Sequence, residues 1–105
     1  MTEASANAIL NHEAGLHARP SLKLTMLAKT FTAKIDLALK PEGPWIDAKS
    51  IVKVMAIKAP MGSTLHFRAG GENAQGALDA IVALIGRDFD EGNAAKQPAG
   101  APADG

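Results

Sequence analysis

The sequence predicts an α+β fold, an antiparallel sheet with helices on one face. Three observations lead there. The segments read in the order strand, helix, strand, strand, helix, strand, helix, and adjacent strands in such an order favour antiparallel pairing. Two segments, 33–39 and 64–69, alternate apolar and polar residues as half-buried strands do. One segment, 74–85, carries an apolar stripe at helical spacing.

Ala4 to Leu10 reads as a strand that ends in the turn-like "NHEAG". Ala18 to Thr30 has no glycine and sets Leu22, Leu24, Thr25, Leu27 and Ala28 in a helical pattern. Pro20 falls in its first turn, where a missing N–H does no harm. Ala33 to Leu39 puts Ile35, Leu37 and Leu39 on one face, Lys34 and Asp36 on the other. "KPEGP" turns the chain, and Trp45 to Ala48 returns as the second arm of a hairpin. Ser50 to Ile57 is a short helix with Ile51, Val54 and Met55 at helical spacing, although its valines and isoleucines suit a strand equally. "APMGS" breaks the chain before Thr64 to Ala69, where Leu65 and Phe67 share a face. Asn73 stands as N-cap of the last helix, whose stripe is Leu78, Ile81, Val82 and Ile85, with Gly86 as its stop.

A chain of 105 residues is enough for one small domain. We expect that domain over residues 1–88, and a disordered Ala/Pro/Gly-rich tail or linker over 89–105, which lacks large apolar residues after Phe89. Eleven basic residues balance 11 acidic ones, which argues against a nucleic-acid binder. The absence of cysteine excludes disulfides and thiolate metal sites and fits a reducing cytoplasm. No apolar run approaches the ~20 residues that span a bilayer. No signal peptide is visible, so a cytoplasmic protein away from membranes is expected.

"EAGLHARPSLKL", residues 13–24, carries the chemistry. His17 directly precedes a helix start, where unpaired N–H groups and the helix dipole favour an anion. Arg19 adds a cation whose fork suits phosphate oxygens. Gly15 permits a tight approach before the helix. An imidazole of near-neutral pKa is a good nucleophile, so His17 is a candidate phosphoryl acceptor. A solvated loop histidine would look the same in spacing alone. His12 shares the loop, but no further ligands complete a metal sphere, so no metal is expected. His66 reads as a surface or edge residue of its strand.

"GLHARP" at 15–20 resembles the active-site motif of the HPr family, the phosphocarrier proteins of the bacterial phosphotransferase system. "AKSIVKVMAI" at 48–57 is similar to the family's second signature, around a regulatory serine. "GSTLHFRAGGENAQGALDAI" at 62–81 is similar to its last strand and final helix. The resemblance covers about residues 6–87. It implies an HPr-like open-faced β-sandwich, with a four-stranded antiparallel sheet and three helices on one side, in the order βαββαβα. It also implies a carrier rather than an enzyme, with no cofactor. His17 would accept a phosphoryl group on Nδ1 from enzyme I, which draws it from phosphoenolpyruvate, and pass it to a histidine of an EIIA-type protein in sugar or nitrogen signalling. Arg19 would contact the phosphate, and Pro20 would begin the helix.

Ser50 matches the serine modified by HPr kinase/phosphorylase in many members, and equally reads as a plain N-cap. Ile51, Val52 and Met55 match the patch that docks onto partners, with Lys29 and Lys53 as a basic rim and Val54 and Ile57 turned inward. Ordinary core is the alternative for the patch. A monomer is expected. The turn "KPEGPW", Trp45 and the long tail depart from the pattern and suit a nitrogen-branch carrier or a module of a fused phosphotransferase. "ALIGRDFDEG" is similar to the nitrogen branch, "KSIVKVM" to sugar-type carriers. The alternative function is a regulatory binding module that acts through Ser50 and docking without relaying phosphate. His17, Arg19 and Pro20 together argue against it.

Overall fold

The computed structural model describes residues 3–13 and 15–90. Its strands are β1 (Glu3–Ile9), β2 (Lys34–Ala38), β3 (Ile46–Asp47) and β4 (Thr64–Gly70). Its helices are α1 (Ala18–Lys29), α2 (Ile51–Ile57) and α3 (Ala74–Gly86), followed by a 3-10 turn at Asp88–Asp90. The strands form one antiparallel sheet in the order β1-β4-β2-β3. This is the open-faced sandwich expected, with β2 and β3 as the hairpin.

Alternation decides which face is covered. Register aligns Ala6, Phe67, Leu37 and Ile46 in one row across the four strands. Phe67 and Leu37 are fully buried and Ala6 and Ile46 half-buried, so this row marks the covered face. Helix α3 packs on β1 and β4, and α1 packs against α2 and α3. The alanines of β1 let α3 approach closely, and α3 supplies Leu78, Ile81 and Ile85 to the core. Each such large apolar side chain contributes roughly 1.5–3 kcal/mol by leaving water.

The next row, on the open face, is Ser5, Arg68, Asp36 and Asp47. Asp36 is 8% exposed, so its charge needs partners. Its Oδ2 accepts from Arg68 Nε at 3.2 Å and faces Lys34 Nζ at 3.5 Å. The Arg68 guanidinium lies 4.3 Å from the Trp45 ring centre, a cation–π contact that accounts for the tryptophan in the unusual turn.

The structure corrects several expectations. Leu39 lies beyond the end of β2 and is exposed. Leu22 is likewise half out of the core, because the buried stripe of α1 runs through Pro20, Ser21, Leu24, Thr25 and Ala28. Of the two readings of His66, surface or edge, the edge one falls: it lies half-buried on the open face of β4, an inner strand. Asn73 holds the N-cap position in a left-handed conformation at φ 57° and makes no side-chain cap bond. Gly86 is the last residue of α3, and Arg87 caps it.

Ordered structure also runs past the boundary expected at residue 88. Phe89 is fully buried, with the His12 ring edge-on at 6.1 Å and Lys23 Nζ donating to its carbonyl at 2.9 Å. From residue 91 the expected tail lies outside the described residues. No helix among the described residues is long and apolar enough to cross a membrane.

Candidate functional site

The loop before α1 is stapled to the segment after α2. Leu16 is buried, and its N–H donates to Ala59 O at 2.8 Å. Gly15 sits at φ +77°, and a Cβ there would fall 2.5 Å from that same carbonyl oxygen. Only glycine satisfies both the left-handed backbone and the close approach. Two more bonds tie the neighbouring backbone, Leu10 N–H to Ser63 O at 2.8 Å and Gly62 N–H to Leu10 O at 2.7 Å.

This staple sets His17 as the N-cap of α1, with extended backbone at φ −95° and ψ −170°. Its carbonyl accepts the first helical bond, from Ser21 N–H at 2.9 Å. Its side chain makes no cap bond, and the residue is exposed. The imidazole is thus not used for capping, at a helix start whose first N–H groups lack intrahelical acceptors. No acidic residue of α1 itself occupies its first turn, where the helix dipole favours an anion. Arg19 stands exposed on that turn, and Pro20 is buried beneath it.

His17 opens onto a concavity of about 400 Å³ lined by Leu16, Ala18, Met55, Lys58, Ala59 and Pro60. Of the expected docking residues, Met55 reaches this concavity. Val52 is 75% exposed and Met55 39%, while Ile51 is half-buried and Val54 fully buried. Ile57 is half-buried against the core. Lys53 is exposed on α2. Lys29 is the last residue of α1, roughly 17 Å along the helix from its start at 1.5 Å per residue, and is not brought to the His17 concavity. Ser50 is the N-cap of α2, its Oγ accepting from Lys53 N–H at 3.3 Å.

Lys58 is the residue at this site that sequence reasoning missed. It caps the C-terminus of α2 in the left-handed conformation and lines the same concavity as His17. The signal available was a lysine placed just before "APMG", where a helix ends. Among the described residues no three His, Cys, Asp or Glu side chains group as a metal site would require.

The model of the family described as PTS HPr component phosphorylation site matches residues 4–87. The phosphocarrier protein HPr of Cupriavidus necator is 45% identical over 78 residues, 74% of this chain and 85% of that protein. The phosphocarrier protein NPr of Shewanella violacea is 34% identical over 91 residues, 87% of this chain and 98% of that protein. The crystal structure of HPr-C-His from Thermoanaerobacter tengcongensis superposes with a TM-score of 0.74 at 28% identity, covering 87% of this chain and 98% of that one.

Proposed function

The chain belongs to the HPr family of phosphotransferase-system phosphocarriers, proteins that are carriers and not enzymes, and on that premise we propose that His17 accepts a phosphoryl group from phospho-enzyme I and delivers it to an EIIA-type protein. The Nδ1 lone pair attacks phosphorus. The new P–N bond forms as the donor's bond to phosphorus breaks, and the donor keeps that electron pair. The same exchange runs onward to the acceptor histidine. The observation that carries this reading is the N-cap position of His17, with its imidazole unused for capping and no acidic residue in the first turn of α1 itself. Arg19 on the same turn would hold the incoming oxygens with its planar fork.

Docking is assigned to the exposed side of α2, where Val52 and Met55 present apolar surface and Lys53 a cation. Central apolar contacts hold such a complex, and charges tune the encounter rate. Modification of Ser50 by an HPr kinase would add charge at the N-terminus of this helix. We read the carrier as a cytoplasmic monomer that meets its partners in turn.

Incubation with enzyme I and phosphoenolpyruvate, read by intact mass, tests the relay. The wild-type chain should gain one acid-labile phosphoryl group. His17→Ala should gain none while keeping its thermal midpoint, and acid-labile uptake by that variant would overturn the assignment. Arg19→Lys should slow uptake, because a point charge replaces a fork.

A further inference from the structure

We propose that Lys58 is a second phosphate-contacting cation, placed across the concavity from the phosphoryl group on His17. The proposal rests on the reading of His17 as the acceptor and adds to it a residue supplied by a different element.

Three observations carry it. The backbone bond from Leu16 N–H to Ala59 O, at 2.8 Å, joins the residue before His17 to the residue after Lys58. The staple therefore fixes the two side chains at one place, where both line the same concavity of about 400 Å³ with Met55 between their segments. Second, Lys58 occupies a left-handed position, φ 53° and ψ 43°, at the end of α2, with its N–H donating to Met55 O at 3.2 Å. Glycine is the usual residue at such a helix end, because a side chain there strains the backbone. A strained residue beside a reacting group is a reason to look for a role. Third, Lys58 is exposed, and its ammonium has no hydrogen-bond or ion-pair partner among the described residues. The lining residues include no carboxylate, so an arriving phosphoryl dianion meets one cation and no competing anion there. The four-carbon stem lets the ammonium follow the phosphoryl oxygens.

The consequence is a longer-lived phosphohistidine. In hydrolysis, water oxygen attacks phosphorus and the P–N bond breaks. Its electron pair returns to the imidazole nitrogen, which ends with one proton of the attacking water while the other stays on inorganic phosphate, and protonation of the ring helps it leave. An ammonium beside the phosphoryl oxygens stabilises the dianion and opposes that protonation. Removing Lys58 should therefore speed loss of the group at neutral pH.

The test loads the full chain chemically, with phosphoramidate and without enzyme I, and follows phosphohistidine decay by intact mass. His17→Ala run in parallel measures the label taken by His12 and His66, which is subtracted. Equal labelling of wild type and His17→Ala would overturn the acceptor reading and this inference with it. With His17 loaded, Lys58→Gln should lose phosphate at least about threefold faster than wild type, the scale of one partly screened charge. Lys58→Arg should restore the wild-type rate. Lys58→Gly should match Lys58→Gln in decay while folding at least as stably as wild type, which separates the charge from the backbone. Decay of Lys58→Gln and Lys58→Gly at the wild-type rate would overturn the role of Lys58 and leave the acceptor reading intact.

Discussion

At Gly15 a single hydrogen atom in place of a side chain holds the site together. The residue sits at φ +77°, and its Cα faces the Ala59 carbonyl that anchors Leu16. In Gly15→Ala the new methyl group must push that carbonyl away and also bear the left-handed backbone. We expect a loss of about 1–3 kcal/mol, read as a lower denaturation midpoint. Uptake of phosphate from enzyme I should fall as well, since the Leu16–Ala59 bond positions His17. A wild-type midpoint would mean that the loop is not closed as described. The motif containing Gly15, His17, Arg19 and Pro20 was legible because it is contiguous; position before a helix suggested an anion site, and the roles proposed for it follow from its resemblance to the HPr motif. Lys58 was not legible, because 41 positions separate it from His17 and only the staple unites them.

Helix α2 shows what the element scale adds. Its seven residues, rich in valine and isoleucine, are too few to form a stable helix by propensity. The choice of helix over strand rests on the Ser50 cap and on Val54, the one fully buried residue of the element. Ser50→Ala should cost about 0.5–2 kcal/mol by leaving the Lys53 N–H without its acceptor. Ser50→Asp keeps an acceptor and adds charge at a helix start, so its thermal midpoint should stay close to wild type. Its phosphate uptake from enzyme I should nevertheless slow, because the charge flanks the exposed apolar side that we assign to docking. Unchanged uptake with an intact fold would leave Ser50 as a cap only. Asn73 is the contrasting case. The residue type suited a cap, but its left-handed backbone turns the side chain away from that bond.

Across the whole molecule, the segment just after α3 is part of the core. The chain turns after α3 and buries Phe89 beside His12, with Lys23 bound to its carbonyl. Phe89→Ala should cost about 3–5 kcal/mol, the range for emptying a buried aromatic site. A chain ended at Asp88 should lose a similar amount relative to one ended at Asp90. Urea denaturation of the three chains measures this, and equal midpoints for the two shortened chains would exclude Phe89 from the core. By composition this residue looked like the start of the tail, because glycine, proline, alanine and charge dominate residues 90–105. One aromatic side chain can still fold back when a pocket exists for it, and no local pattern reports such a pocket.

The sequence by itself determined every element but α2, the strand faces through their period of two, the start of α1, and the contiguous motif around His17. Each of these depends on residues within one turn or one strand, where sterics and hydrogen bonding act between neighbours. Only the tertiary structure decided that β4 lies inside the sheet between β1 and β2, which puts His66 on an inner strand and Arg68 against both Asp36 and Trp45. It also decided that Lys58 and His17 line one concavity and that Phe89 is buried in the core. These outcomes pair residues that are distant along the chain. Their energies come from desolvation and charge compensation at contacts that exist only once the layers have packed, so no local periodicity carries them.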